Sequence, residues 1–355
     1  MVLVFQNLIP VSNRLNLLSI LFTPKTITKV MKMTKINPWL SLNASVNSKR
    51  CNAEHKFNFF WAIDKNSAYL FAIEHRNLED WSAKKLSLSG IEIEQYQITD
   101  GYRLVLKLHD NSDWDLFLNL CNDLLSATTE CENEKAMLAI VHNRLQRWQK
   151  LFRKTGKKLL STEEQQGLVG ELYFIKNHLF GKYPETEIFS FWRGPYGEQQ
   201  DFGIGNTAIE VKTKRGTAVS YVQISSADQL DCRNTQCFLY ILTLNASPGS
   251  ITKAFSLNDL ATEIKKMIES TEVLDLFESL LAEAGYIEIQ EYSETSYVVS
   301  QESVYEVRDS FPRLTSNSLP SGIHSVQYRI ELLSCKPYEI TLNEFSTRIL
   351  NESTD

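Results

Sequence analysis

Long uninterrupted apolar runs are missing from this chain of 355 residues. Its most apolar stretch, at the N-terminus, is broken by Asn7, Pro10, Asn13 and Arg14, which argues against a secretory signal, a spanning helix or a membrane partner. Glycine is scarce at 14 residues, and no glycine-rich phosphate loop, repeat or long low-complexity linker occurs. The six cysteines show no paired framework, and Cys232 and Cys237 lack the second Cys or His pair that a zinc site needs. The six histidines are scattered, and no Ser-His-Asp or Cys-His arrangement stands out. These absences describe a reduced, cytoplasmic chain. A net charge of −6 and a pI near 5.7 supply no overall basic excess for nucleic acid. No acidic residue precedes Glu54, so residues 1–33 are expected to be an extension upstream of the true start, with Met31 or Met33 as initiator, or else a disordered basic tail.

What is present centres on one predicted hairpin. Gly205-Asn206 is a two-residue turn signal between Asp201–Ile204 and the strand-like run Thr207–Thr213. With that loop, Ile204 faces Thr207, Gly203 faces Ala208, Phe202 faces Ile209 and Asp201 faces Glu210. Alternation along a strand then puts Asp201, Glu210 and Lys212 on one side. It puts Phe202, Ile204, Ile209 and Val211 on the other, as a core. Directly opposed carboxylates repel and need a proton or a cation, for which a divalent metal held by hard oxygens is suited. Gly203 and Ala208 are expected to leave open space beside them.

A further carboxylate comes from the preceding segment. Ser161 and Glu164 have the spacing of a capping box, opening a helix predicted to run to about Phe180, with Gly181 as its stop. Its apolar stripe is Leu168, Leu172, Ile175 and Leu179, and Glu171 falls on it. A carboxylate among leucines is costly unless paired or metal-bound, so Glu171 either reaches water at the stripe's edge or has such a partner.

The order Glu171, Asp201, Glu210-x-Lys212 resembles the PD-(D/E)XK nuclease superfamily, with Gln200 in place of the motif's proline. More narrowly, several phrases are similar to a bacterial family known as "PD-(D/E)XK motif protein". They are Gly170-Glu171-Leu172, Phe191-Trp192-Arg193-Gly194-Pro195, Asp201-Phe202, Glu210-Val211-Lys212-Thr213, Ile224-Ser225-Ser226 with Gln229-Leu230, and the C-terminal Phe311–Leu314 and Leu319–Ile323. The resemblance spans roughly Lys35 to Leu333. It implies an α/β (α+β) fold: a restriction-endonuclease-like core with a mixed sheet flanked by helices. Its strands would lie near Ile188–Trp192, Asp201–Ile204, Thr207–Thr213 and Gln236–Leu244, with a short helix after Ser225. Val219–Ile224 would either extend the sheet or lead into that helix.

The resemblance also implies a chemistry, metal-dependent hydrolysis of DNA in a restriction or anti-phage defence system. Asp201, Glu210, Glu171 and the Val211 carbonyl would hold Mg²⁺ or Mn²⁺, and Lys212 would orient or deprotonate water or stabilise developing charge. Gln223, Ser225, Ser226, Lys214 and Arg215 are candidates for supporting or phosphate contacts. DNA, other defence-system proteins and a second copy of the chain are the partners implied. A nuclease-fold subunit that only binds DNA or scaffolds a complex is the alternative.

Around the core (131–250), the sequence predicts an antiparallel β-rich domain (34–130) carrying Trp61, Trp81 and Trp114 as core residues, and a C-terminal domain (251–355) of two helices and a hairpin, Tyr286–Tyr292 with Ser296–Tyr305. Between Val141 and Ser161 stand seven basic residues (Arg144, Arg147, Lys150, Arg153, Lys154, Lys157, Lys158) and no acidic one. They are expected either to contact phosphates or to form a solvated helix face. From Leu257 to Glu294 ten acidic residues stand against two basic ones, which argues against DNA reading by the two helices and hairpin and for a protein-contact or structural role.

Overall fold

In a computed structural model the chain divides at Ile36/Asn37, and every element below lies in the second unit. The structure describes residues 35–76, 86–156, 158–216, 220–231, 235–247 and 253–351. The expected N-terminal extension, Trp81, Lys157 and the start of the 219–224 run lie outside the described residues.

The first elements are antiparallel. Strands β1 (Ser48–Arg50), β2 (Asn58–Ile63), β3 (Tyr69–His75), β4 (Ile91–Ile98) and β5 (Gly101–Leu108) form a sheet in the order β1-β2-β3-β5-β4. Asp64 makes the β2–β3 turn, its side chain accepting from the N–H groups of Asn66 and Ala68 at 2.8 and 2.9 Å. Helices α1 (Trp114–Ala127) and α2 (Glu134–Thr155) follow. Trp61 is buried and Trp114 packs against the same core, so neither is an exposed stacking platform.

The capping box at Ser161 forms as predicted: Glu164 N–H donates to Ser161 Oγ at 3.2 Å and Ser161 N–H to Glu164 at 2.8 Å. It opens α3 (Thr162–Phe174), which continues as a π-helical turn through Leu179. The strand expected near Ile188–Trp192 is instead a short helix, α4 (Glu185–Ile188), followed by a single bridge between Trp192 and Phe202. Ile188 and its neighbour Phe189 are both buried, which breaks the alternation of a strand.

Strands β6 (Phe202–Ile204) and β7 (Thr207–Arg215) are the predicted hairpin, in the predicted register. Strand β8 (Tyr221–Ile224) leaves this sheet, and a 3₁₀ turn at Ala227–Leu230 takes the place of the expected short helix. Strand β9 (Gln236–Ser247) then runs parallel to β7. Beyond it come β10 (Phe255–Ser256), α5 (Leu257–Met267), α6 (Thr271–Glu283) and β11 (Ser296–Glu306). Strand β12 (Tyr328–Glu331) pairs with β8 as a separate ribbon, and α7 (Leu332–Cys335), β13 (Glu339–Ile340) and α8 (Leu342–Asn351) complete the described chain. The central mixed sheet has the order β10-β11-β9-β7-β6, with β13 on β11.

The expected C-terminal hairpin is absent. Residues 286–292 pack inward, with Tyr286, Ile287, Ile289 and Tyr292 buried, and Asn258 donates to the Ile289 carbonyl at 2.8 Å. Strand β11 pairs with β9 instead, where a long ladder satisfies its backbone. One buried cluster draws on all three expected regions, including Leu106, Trp148, Ile209 and Phe277. No helix among the described residues is long and apolar enough to cross a membrane.

The two oppositely charged stretches of the sequence meet each other. Arg147 on α2 pairs with Asp275 (3.4 Å) and Glu278 (2.5 Å) on α6, and Arg153 pairs with Glu283 at 3.4 Å. Arg144 pairs with Asp123 at 3.2 Å. Arg144 and Arg147 therefore face carboxylates, whereas Arg153 stays 74 % exposed, as a solvated helix face would have it.

Helix α3 lies against β7 so closely that a Cβ on Gly170 would come within 2.5 Å of Thr213 Cγ2. In an unpacked helix Gly→Ala is worth up to about 1 kcal/mol of added stability. Here overpacking, at about 1–3 kcal/mol, outweighs it. Gly170→Ala is accordingly expected to lower the melting temperature; a rise would show that the helix does not sit this close.

Candidate active site

The β6–β7 hairpin and α3 bring Asp201, Glu210, Lys212 and Glu171 together. Strand β6 ends one residue short of Asp201, so β7 loses its partner at Val211. The Asp201 side chain fills that role, with Oδ2 accepting from Val211 N–H at 2.8 Å. A strand residue's N–H and C=O share an edge, so the Val211 carbonyl faces the same side. The main-chain carbonyl of Asp201 in turn accepts from the N–H groups of Arg193 (2.8 Å) and Gly194 (3.1 Å). Asp201 is thus fixed at backbone and side chain.

Glu210 is fully buried, and Lys212 Nζ lies 2.6 Å from its Oε1. The other carboxylate oxygen, Oε2, has no hydrogen-bond partner. Glu171, from α3, has Oε2 2.7 Å from the indole N–H of Trp192, which donates to it. A Cβ on Gly194 would stand 2.7 Å from Glu171 Oε2 and 3.4 Å from Asp201 Oδ1, so both acids border one small space and glycine keeps it clear. Glu171, Asp201 and Lys212 retain partial solvent contact, which gives the site its mouth.

Electrostatically the cluster is short of positive charge. Burial, and then the charge of Asp201, push the Glu171 carboxyl from 4.5 up to about 8. Burial raises Asp201 against the opposing pull of Lys212 and the Val211 N–H. Glu210 is raised by burial and by Asp201. Burial pulls Lys212 down, but Glu210, Asp201 and Glu171 outweigh it and the ammonium is held above its ordinary value. Three carboxylates around one lysine favour an added cation or retained protons.

The other predicted contacts fall differently. Lys214 shares the face of Lys212, two residues on, whereas Arg215 projects from the opposite face. Gln223 is on the exposed side of β8, where its carbonyl oxygen accepts from Arg329 at 3.0 Å. Ser225 N–H donates to the side chain of Gln229 at 2.8 Å, and Ser226 precedes the 3₁₀ turn without capping it. Gln200, at the proline position of the motif, donates to the Asp228 carbonyl at 2.9 Å and ties the hairpin to that turn.

The space expected over Gly203 and Ala208 is not open. The Arg193 guanidinium lies over Gly203, with Cζ 2.3 Å from where a Cβ would be. Sequence reasoning assigned no role to Arg193, Trp192 or Gly194. The one available signal was Gly203 itself, a glycine in a strand interior, which marks a close approach. Tyr328 of β12, near enough to Glu210 and Lys212 to feel both charges, was also missed.

Among the described residues no three His, Cys, Asp or Glu side chains are gathered into a finished metal-holding group. The donor chemistry nonetheless fits a hard divalent cation: all-oxygen ligands, with Glu210 Oε2 buried and without a hydrogen-bond partner.

A raised carboxyl binds its proton more tightly folded than unfolded, so its penalty is absent below the unfolded value and grows as pH rises. For Glu171 that window is 4.5 to about 8. Without divalent metal, the melting temperature of the native protein should fall across this range relative to Glu171→Gln. Parallel curves would contradict the assignment.

The family described as "Putative PD-(D/E)XK family member, (DUF4420)" matches residues 35–333, a span that holds all four of these side chains. No curated protein and no solved structure matches the chain. The mixed sheet, the hairpin acids and this match agree, and the chain belongs to that PD-(D/E)XK family.

Proposed function

We propose that the protein is a metal-dependent DNA endonuclease, hydrolysing phosphodiesters in the cytoplasm as part of a bacterial restriction or anti-phage defence system. The observation that carries this reading is the fully buried Glu210, one oxygen on Lys212 and the other, Oε2, without a hydrogen-bond partner, within the field of Asp201 and Glu171. A structural ion pair would need one carboxylate for one lysine; this site has three. The defence context is supported only by the similarity of the sequence phrases to that bacterial family.

Asp201, Glu210, the Val211 carbonyl and Glu171 would hold Mg²⁺ or Mn²⁺, which supplies an activated water and offsets charge on the phosphoryl oxygens. The chain's own contribution is positional and electrostatic. Asp201 is locked by three backbone N–H groups, so its free oxygen has a fixed direction. Lys212, kept protonated by its acidic neighbours, orients a water or stabilises the negative charge that builds on the phosphate and does not act as the base. A cut in both strands needs two such sites, which a homodimer or a defence-system partner would supply.

A second reading, a nuclease-fold subunit that binds DNA or scaffolds a complex without cutting, is favoured by one observation: among the described residues the acids form no finished metal-holding group. Plasmid DNA and Mg²⁺ separate the two. The native protein, with co-expressed partners included, should nick or linearise plasmid, and chelation should abolish this. Glu210→Ala and Lys212→Ala should each lower the rate about 100-fold or more, the scale of losing a group that stabilises transition-state charge. Equal behaviour of all three proteins would favour the second reading.

A further inference from the structure

Arg193 is a basic side chain on the active-site face that no role yet accounts for. Three observations set it apart. Its backbone N–H donates to the Asp201 carbonyl at 2.8 Å, so it is tied to a proposed metal ligand. Its guanidinium occupies the room that Gly203 leaves by lacking a Cβ; Cζ, Nε and Nη2 would stand 2.3, 2.4 and 2.6 Å from that atom. The side chain remains 45 % exposed, and its ion-pair partner is Glu198, at 3.4 Å and 51 % exposed. A long ion pair between two exposed groups holds weakly, which leaves the planar fork of donors available to solvent and to an anion.

The position matters as much as the charge. Gly203 pairs with Ala208, and the next position on that face of β7 is Glu210. Two residues of strand span about 6.6 Å, so the guanidinium lies one row from the carboxylates on one side and Lys212 lies one row from them on the other. The acids are bracketed by cations along the strand. Buried acids alone would repel a phosphodiester; a half-exposed arginine beside the mouth offsets that repulsion without entering the metal-binding space.

We propose that Arg193 is a substrate-binding residue whose guanidinium, seated on Gly203, grips a backbone phosphate next to the scissile one. The inference rests on the nuclease reading above and names a contact within it. Glu198 then acts as a resident competitor, released when the phosphate arrives. Arginine suits this role better than lysine because its fork meets two phosphate oxygens at once.

The test is binding of short fluorescein-labelled DNA duplexes and single strands to the full chain, with Ca²⁺ in place of Mg²⁺, by fluorescence anisotropy across a salt series. Plasmid cleavage in Mg²⁺ is run in parallel, and melting temperatures check folding. Arg193→Gln should weaken binding about tenfold and reduce the slope of log K against log salt by about one, as loss of one phosphate contact does. Arg193→Lys should recover part of the loss and most of the slope. Gly203→Ala, which leaves the arginine but removes its seat, should resemble Arg193→Gln. Glu198→Gln should bind several-fold more tightly, a gain that a merely structural arginine would not give. If the native protein binds and cuts while Arg193→Gln keeps the native affinity and salt slope, the inference fails and the nuclease reading stands. If Arg193→Gln loses cleavage but not affinity, the side chain serves the reaction without gripping the substrate, and the inference fails likewise. A native protein that neither binds nor cuts removes the nuclease reading, and this inference with it.

Discussion

The structure turns on the crowding of Asp201, Glu210 and Glu171 around one ammonium group. Burying an ionised carboxylate costs several kcal/mol unless it is paired, and Glu210 is buried completely while its one lysine also serves Asp201 and Glu171. A fold selected only for stability would replace these side chains with apolar ones of similar volume, often without loss. Much of the surrounding architecture holds the crowding in place. The capping box starts α3 at a defined residue, Gly170 lets it rest on β7, Trp192 steers Glu171, and the short β6 leaves the Val211 N–H for Asp201. Beneath the hairpin Phe202, Ile204 and Ile209 are fully buried, so the acids cannot relax downward.

Charge elsewhere is arranged so that it does not compete. The basic run on α2 and the acidic α6 neutralise each other through Arg147, Arg153 and their partners. Taken separately these stretches suggested a phosphate-binding or solvated helix face and a DNA-repelling domain. Together they are a helix–helix contact in which the two charged faces meet. The cations left on the site face, Arg193, Lys212 and Lys214, are fewer but are placed by strand alternation and by the Gly203 seat. Under the proposed function, a net negative chain would accommodate a phosphodiester in this way, by local placement in place of overall attraction.

How much of this was legible depended on the range of the interaction. The hairpin register followed from Gly205-Asn206 and period-two alternation, both local, and the capping box at Ser161 likewise. The strand expected near Ile188–Trp192 failed because a strand and a turn of helix are hard to tell apart in a short apolar run. The hairpin at Tyr286–Tyr305 failed because a partner far away in sequence, β9, offered β11 a longer ladder. Arg193 and Tyr328 reached the site by tertiary contact, for which a linear pattern has no signal beyond the interior glycine at Gly203.

The most direct test of the central claim is calorimetric titration of Mn²⁺ into the metal-free chain. The account predicts saturable binding to the native protein that Glu210→Gln weakens about tenfold or more, the scale of losing one charged ligand. Equal binding by both proteins, or none by the native one, would contradict it and leave the buried acids as a structural feature.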